Sequence, residues 1–84
     1  MNEDQKNRIS VTIYGQEYKI VGKASANYMR MIADYVDDKM KQISENNPRL
    51  DTLKIAVLSA VNIADEYHRL KQEYDELIKL IEEE

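Results

Sequence analysis

Cysteine, tryptophan and phenylalanine are absent from this 84-residue chain, histidine and proline occur once each, and glycine twice. Without Cys there is no disulfide to staple the fold and no thiolate metal site, and His68 alone cannot assemble a histidine cluster. Gly15 and Gly22 lack the spacing of a phosphate-cradling loop. No apolar run approaches the ~18 residues of a membrane span, and the first nine residues are too polar for a signal peptide. A cytoplasmic protein without a membrane span is the expectation. The formal net charge is -4, with 33% charged residues, which weighs against a protein that tracks nucleic-acid phosphates. The aromatic set is six Tyr, a residue suited to half-wet positions where the ring is covered and the hydroxyl reaches water. A chain of this length buries only about 60% of its unfolded surface when it folds alone. With neither disulfide nor metal available, oligomerisation is the remaining route to stability.

What is present is a seam. Leu53, Ala56, Ala60, Ile63, Tyr67, Leu70, Tyr74, Leu77 and Ile81 follow one another in alternating steps of three and four. The mean step of 3.5 is the period at which helices supercoil around a partner. Such a narrow stripe cannot be buried by the helix that carries it, so these nine residues are the expected oligomer interface. Tyr67 and Tyr74 depart from the usual aliphatic choice and predict a wetter or looser seam, or one of more than two helices. Glu66 and Lys71 flank it and favour a parallel pairing.

Taken in order, residues 1–8 are polar, lack periodicity and read as a disordered lead-in. Ile9, Val11 and Ile13 then alternate with Ser10 and Thr12, the mark of a half-buried strand. A Tyr14-Gly15-Gln16-Glu17 turn with Gly15 at the first central position suits type II′ and would set Ile13 opposite Tyr18 and Val11 opposite Ile20. The hairpin is placed at 9–21. Ser25 is the expected N-cap of a helix over 25–46, whose inner face is Met29, Ile32, Val36, Met40 and Ile43. Tyr28, Met31 and Tyr35 form a second, weaker apolar patch on its flank. Asn46, Asn47 and Pro48 break the helix, and Asp51 caps a long one. Residues 51–64 are crowded with apolar side chains, including Ile55, Val57, Leu58 and Val61, and are assigned to the head. Beyond Asp65 only the seam stays consistently apolar. The fold class is therefore α+β and dimeric: a head over 9–64, made of an N-terminal β-hairpin, a short helix and the start of a long helix, which leaves the head as a coiled coil over 65–84.

No stretch carries an active-site signature. His68 lies one position past the seam, on the solvent side. Asp37 and Asp38 are adjacent on a helix and so point in different directions. No enzyme, cofactor or metal is expected. Asn62, set among apolar residues, needs a hydrogen-bond partner wherever it is buried. The cations Arg30, Lys39, Lys41, Arg49 and Lys54 serve either solubility or the docking of an acidic partner. The order of strand and helices also resembles ribbon-helix-helix DNA binders, but the hairpin, the acidic balance and the length of the second helix fit poorly.

A closer resemblance rests on the ordered combination of Ile13-Tyr14-Gly15, Val36-Asp37-Asp38-Lys39-Met40, Asn47-Pro48-Arg49-Leu50-Asp51 and Ala56-Val57-Leu58-Ser59-Ala60-Val61-Asn62-Ile63. Together these resemble the ZapA family of bacterial division proteins, in its short Gram-positive form, from Ile9 into the coil. The resemblance implies a non-enzymatic protein of the cytoplasm, acting at the mid-cell division site. There it would bind FtsZ polymers, cross-link or bundle them and support the Z-ring, as a homodimer with a tetramer left open. It also favours exposed head cations as the FtsZ contact, Arg30 first. The alternatives are a coiled-coil adaptor for another cytoplasmic protein and, further off, a small DNA-binding regulator.

Overall fold

Alternation over Ile9–Ile13 puts apolar side chains on one face of a strand, and a second alternating run can cover the same face only by folding back. The computed structural model describes residues 6–83 and shows that arrangement: β1 (Asn7–Ile13) pairs antiparallel with β2 (Gln16–Gly22), followed by α1 (Ala26–Asn46) and α2 (Thr52–Glu82). Residues 1–50 and 51–84 form two compact units. The division falls at the start of the long helix, whereas the sequence assigns 51–64 to the head.

The hairpin differs from expectation in its turn. The two-residue loop is Tyr14-Gly15, with Ile13 opposite Gln16, Val11 opposite Tyr18 and Ile9 opposite Ile20. Both loop residues have positive φ, 51° at Tyr14 and 79° at Gly15, as a type I′ turn requires, in place of the expected II′ turn centred on Gly15-Gln16. The pairing is offset by two residues from the expected register, so the inner face keeps its composition. A Tyr in the left-handed region is unusual and costs energy. The compensation comes from α1: the Tyr14 N–H donates to Asp37 Oδ1 at 2.7 Å and its hydroxyl to Ser44 Oγ at 2.8 Å.

β1 also starts earlier than Ile9. Asn7 and Arg8 belong to the strand, and Asn7 Nδ2 donates to the Ala24 carbonyl at 2.7 Å, fastening the open end of the hairpin. The rest of the expected lead-in, residues 1–5, lies outside the described residues.

Ser25 caps α1, its side chain accepting from the Tyr28 N–H. Asn47 closes the other end, its N–H donating to the Ser44 carbonyl and its Nδ2 to that of Ile43. Helix α1 packs on β1. Its buried residues are Met29, Ala33 and Met40, and with Val11 they are the buried apolar side chains of this unit. The expected inner face included Ile32, which is 46% exposed; Ala33 lies inward instead. The reason is closeness of approach. Ala33 is small, and opposite Met29 stands Gly22, where a Cβ would come within 3.3 Å of the Met29 sulfur. Ile32 turns outward to join Tyr28, Met31 and Tyr35, all about half exposed, in one apolar patch.

The Tyr14 anchor carries a pH dependence. Lys41 Nζ lies 2.9 Å from Asp37 Oδ2. That hydrogen bond, and the one from the Tyr14 N–H, hold the Asp37 carboxyl below the usual carboxylate range, while Asp37 raises the Lys41 ammonium. A carboxyl lowered on folding contributes stability that is present above its unfolded pKa and is lost as pH falls through its folded value. The Asp37 contribution is therefore intact at neutral pH and begins to be lost only as pH drops below about 4, the ordinary carboxylate value. The Lys41 contribution has the opposite sense and is lost only in strong base. Asp37→Asn keeps an acceptor for Tyr14 but removes the charge. Thermal unfolding of the two proteins is expected to differ at pH 7 and to converge in acid, as pH falls through the lowered folded value of Asp37; a gap that stays constant across the whole acid range would contradict the assignment.

Candidate functional site

Helix α2 runs without interruption for 31 residues, about 46 Å at 1.5 Å per residue. Asp51 caps it, accepting from the Lys54 N–H at 2.9 Å. Its polar positions pair along the helix, Arg69 with Asp65 at 2.9 Å and Lys71 with Asp75 at 3.4 Å. Exposed pairs of this kind contribute a few tenths of a kcal/mol each. Lys71, expected to pair with a flanking Glu66 of another chain, is thus engaged within its own helix.

Only Ile55 and Ser59 are buried along α2, and Ser59 is satisfied by donating to the Ile55 carbonyl at 2.7 Å. The seam is open to solvent over most of its length: Leu53 is 72% exposed and Leu70 66%, and Tyr67, Tyr74, Leu77 and Ile81 are exposed in like degree. Ala60 is exposed, and Ala56 and Ile63 are half-buried. Val57, Leu58 and Val61, in the stretch that the sequence assigns to the head, are exposed as well. Leu80 adds to the stripe near its end. Those four residues are large, exposed apolar positions that heptad spacing leaves out. Asn62 is exposed and so needs no buried partner; His68 is exposed, its ring edge-on to Tyr67.

Exposed apolar stripes of this length are uncommon on monomeric proteins. A second exposed apolar patch, Tyr28, Met31, Ile32 and Tyr35, lies on α1. Lys39 stands over the Tyr35 ring, 5.4 Å from its centroid, a cation–π contact.

Arg30, Lys41, Arg49 and Lys54 are exposed and Lys39 is half-buried. Lys41 is committed to Asp37 and Lys39 to Tyr35. Arg49 borders a shallow hollow of about 270 Å³ with Asn47, Pro48 and Leu50. A different basic surface is assembled on the hairpin, where Arg8, Ile9, Ser10, Lys19 and Val21 line a hollow of about 340 Å³. Composition alone puts Arg8 in the lead-in; the cross-strand register shows that it shares a face with Lys19.

Among the described residues no group of His, Asp and Glu side chains could hold a metal ion, and no helix is long and apolar enough to cross a membrane.

Comparison with known proteins agrees with this architecture. The family model "Cell division protein ZapA" matches residues 9–84. A Cell division protein ZapA of Geobacillus sp. (strain WCH70) is 52% identical over 84 residues, covering 100% of this chain and 97% of the relative. That of Geobacillus thermodenitrificans (strain NG80-2) is 57% identical over 77 residues, 92% of this chain and 85% of the relative. Among solved structures, a ZapA mutant dimer from Geobacillus stearothermophilus is similar with a TM-score of 0.75 and 51% identity, covering 98% of this chain and 95% of the other. A hairpin followed by a short and a long helix, with family identity running the length of the chain, leaves one assignment: the chain belongs to the ZapA family of cell division proteins.

Proposed function

We propose that this chain is a non-enzymatic cytoplasmic division factor that works as a dimer, binding FtsZ polymers at mid-cell and cross-linking or bundling them to stabilise the Z-ring. The observation that carries the reading is the exposed stripe from Leu53 to Ile81 on a single unbroken helix. A stripe at coiled-coil spacing joins copies of the chain, and the solved relative from G. stearothermophilus is described as a mutant dimer. Membership of a family of cell division proteins supplies the setting.

Valency is the mechanism. Two copies joined through α2 present two weak partner-binding surfaces on one body. Engagement of the second surface is then intramolecular, and avidity exceeds either site alone by about 10²–10⁴. When the two surfaces reach different filaments, the same geometry cross-links them. Arg30, Arg49 and Lys54, exposed cations on an acidic protein, remain candidate contacts with an acidic polymer, with Lys39 and Lys41 as lesser ones.

The test is co-sedimentation of the purified chain with FtsZ polymers, alongside its molar mass in solution. Pelleting with FtsZ, thicker bundles by light scattering and at least a dimeric mass are expected. A chain that forms dimers but stays in the supernatant with FtsZ present would leave the adaptor reading and remove this one.

A further inference from the structure

The outer face of the hairpin is built unlike the rest of the surface. In the observed register Arg8 stands opposite Val21 and Ser10 opposite Lys19, so Arg8 and Lys19 are diagonal neighbours on the face turned away from Val11. They flank the 340 Å³ hollow, with the Ser10 hydroxyl between them. Lys6 and Lys23, both exposed, extend the charge around the open end. Over residues 6–24 four cations meet one anion, Glu17, in a protein whose formal net charge is -4. Neighbouring cations on a short hairpin repel one another and contribute nothing to its fold; they are complementary to a ligand of opposite sign.

We infer that this face, centred on Arg8 and Lys19, is a docking surface for an acidic segment of a partner protein; it rests on the FtsZ reading only for the owner of that segment. The physics favours protein over the other polyanions. A nucleic acid would meet the acid excess of the whole chain at every step along its backbone, and four cations neutralise few phosphates. A membrane would want apolar side chains beside the cations, and Val21 is the single large apolar residue exposed among those lining the hollow. A short run of Asp and Glu fits the scale of the hollow, its carboxylates reaching Arg8, Lys19 and the Ser10 hydroxyl. Arg8 offers a fork that a carboxylate can fill with two hydrogen bonds.

The test compares two double reversals in the full chain, R8E/K19E on the hairpin and R69E/K79E on α2, each of which takes the formal net charge from -4 to -8. All four side chains are exposed, so circular dichroism should show both variants folded. The first probe is a fluorescein-labelled glutamate-rich peptide, followed by anisotropy at low and at physiological salt. The wild type should bind it, with affinity falling as salt rises. R8E/K19E should lose about tenfold or more, since two attractions become repulsions, and R69E/K79E should stay within about twofold. A wild-type chain that ignores the peptide, equal losses in the two variants, or a preference for anionic vesicles or duplex DNA at physiological salt would each overturn the inference. FtsZ polymers are the second probe. Loss of FtsZ pelleting in R8E/K19E alone supports both readings. If the wild type pellets and R8E/K19E pellets equally, the FtsZ reading stands and the hairpin surface falls. If the peptide maps to the hairpin but the wild type ignores FtsZ, the surface stands and FtsZ is the wrong owner.

Discussion

Leu70→Glu combined with Leu77→Glu should convert the protein to a monomer and abolish bundling of FtsZ polymers. Both side chains are exposed in the single chain, 66% and 55%, so the change should leave the fold of one copy intact. The cost falls on association. Burying a Leu contributes about 1.5–3 kcal/mol, and two positions on each of two chains amount to roughly 6–12 kcal/mol. Facing carboxylates add repulsion to that loss. A nanomolar dimer is held by about 12 kcal/mol, so the double change removes most or all of its association energy. With the dimer goes the effective concentration that makes two weak sites bind strongly. Equilibrium sedimentation should report the mass of one chain, and FtsZ pelleting should fall to the level of a single weak site with no thickening of bundles. Monomers that still bundle FtsZ would show that bivalency through α2 is the wrong mechanism.

That stripe was legible in the sequence because its signal is periodic and local: every member lies three or four residues from the next, and one helix spans them all. The caps Ser25 and Asp51 were legible for the same reason, each acting within three residues of itself. The turn was not. Local chemistry gives Gly15 the first central position of a hairpin turn, because a Tyr at positive φ is costly. What places Tyr14 in the loop is a pair of hydrogen bonds to Asp37 and Ser44, 23 and 30 residues away. Arg8 was missed for a similar reason. By composition it belongs with a polar lead-in, and its proximity to Lys19 follows from cross-strand pairing, which no window on the chain contains. The candidate cations named from sequence are distributed by composition alone, and two of the five are already engaged by neighbours on their own helix.

The same distinction gives the second large effect. Spacing alone makes Ile32 and Met40 equivalent members of the inner face of α1; the structure separates them, Met40 being 6% exposed and Ile32 46%. Truncating a buried Met to Ala costs about 2–5 kcal/mol, through lost transfer energy and the cavity left behind. A unit of about 50 residues has roughly 2.5–7.5 kcal/mol in total at the usual stability per residue. Met40→Ala should therefore bring the hairpin and α1 close to unfolding when the protein is dilute, read as a fall in the urea midpoint by circular dichroism. Ile32→Ala should cost no more than about 1 kcal/mol under the same conditions, as surface changes do. Raising the protein concentration then separates two roles for Ile32. Association stabilises by mass action, so if a second copy covers the patch of Tyr28, Met31, Ile32 and Tyr35, the Ile32→Ala deficit grows with concentration. If nothing covers it, the deficit stays constant. Equal losses for Met40→Ala and Ile32→Ala in dilute protein would mean that the buried face of α1 runs through Ile32 after all, as the bare spacing of three and four would have it.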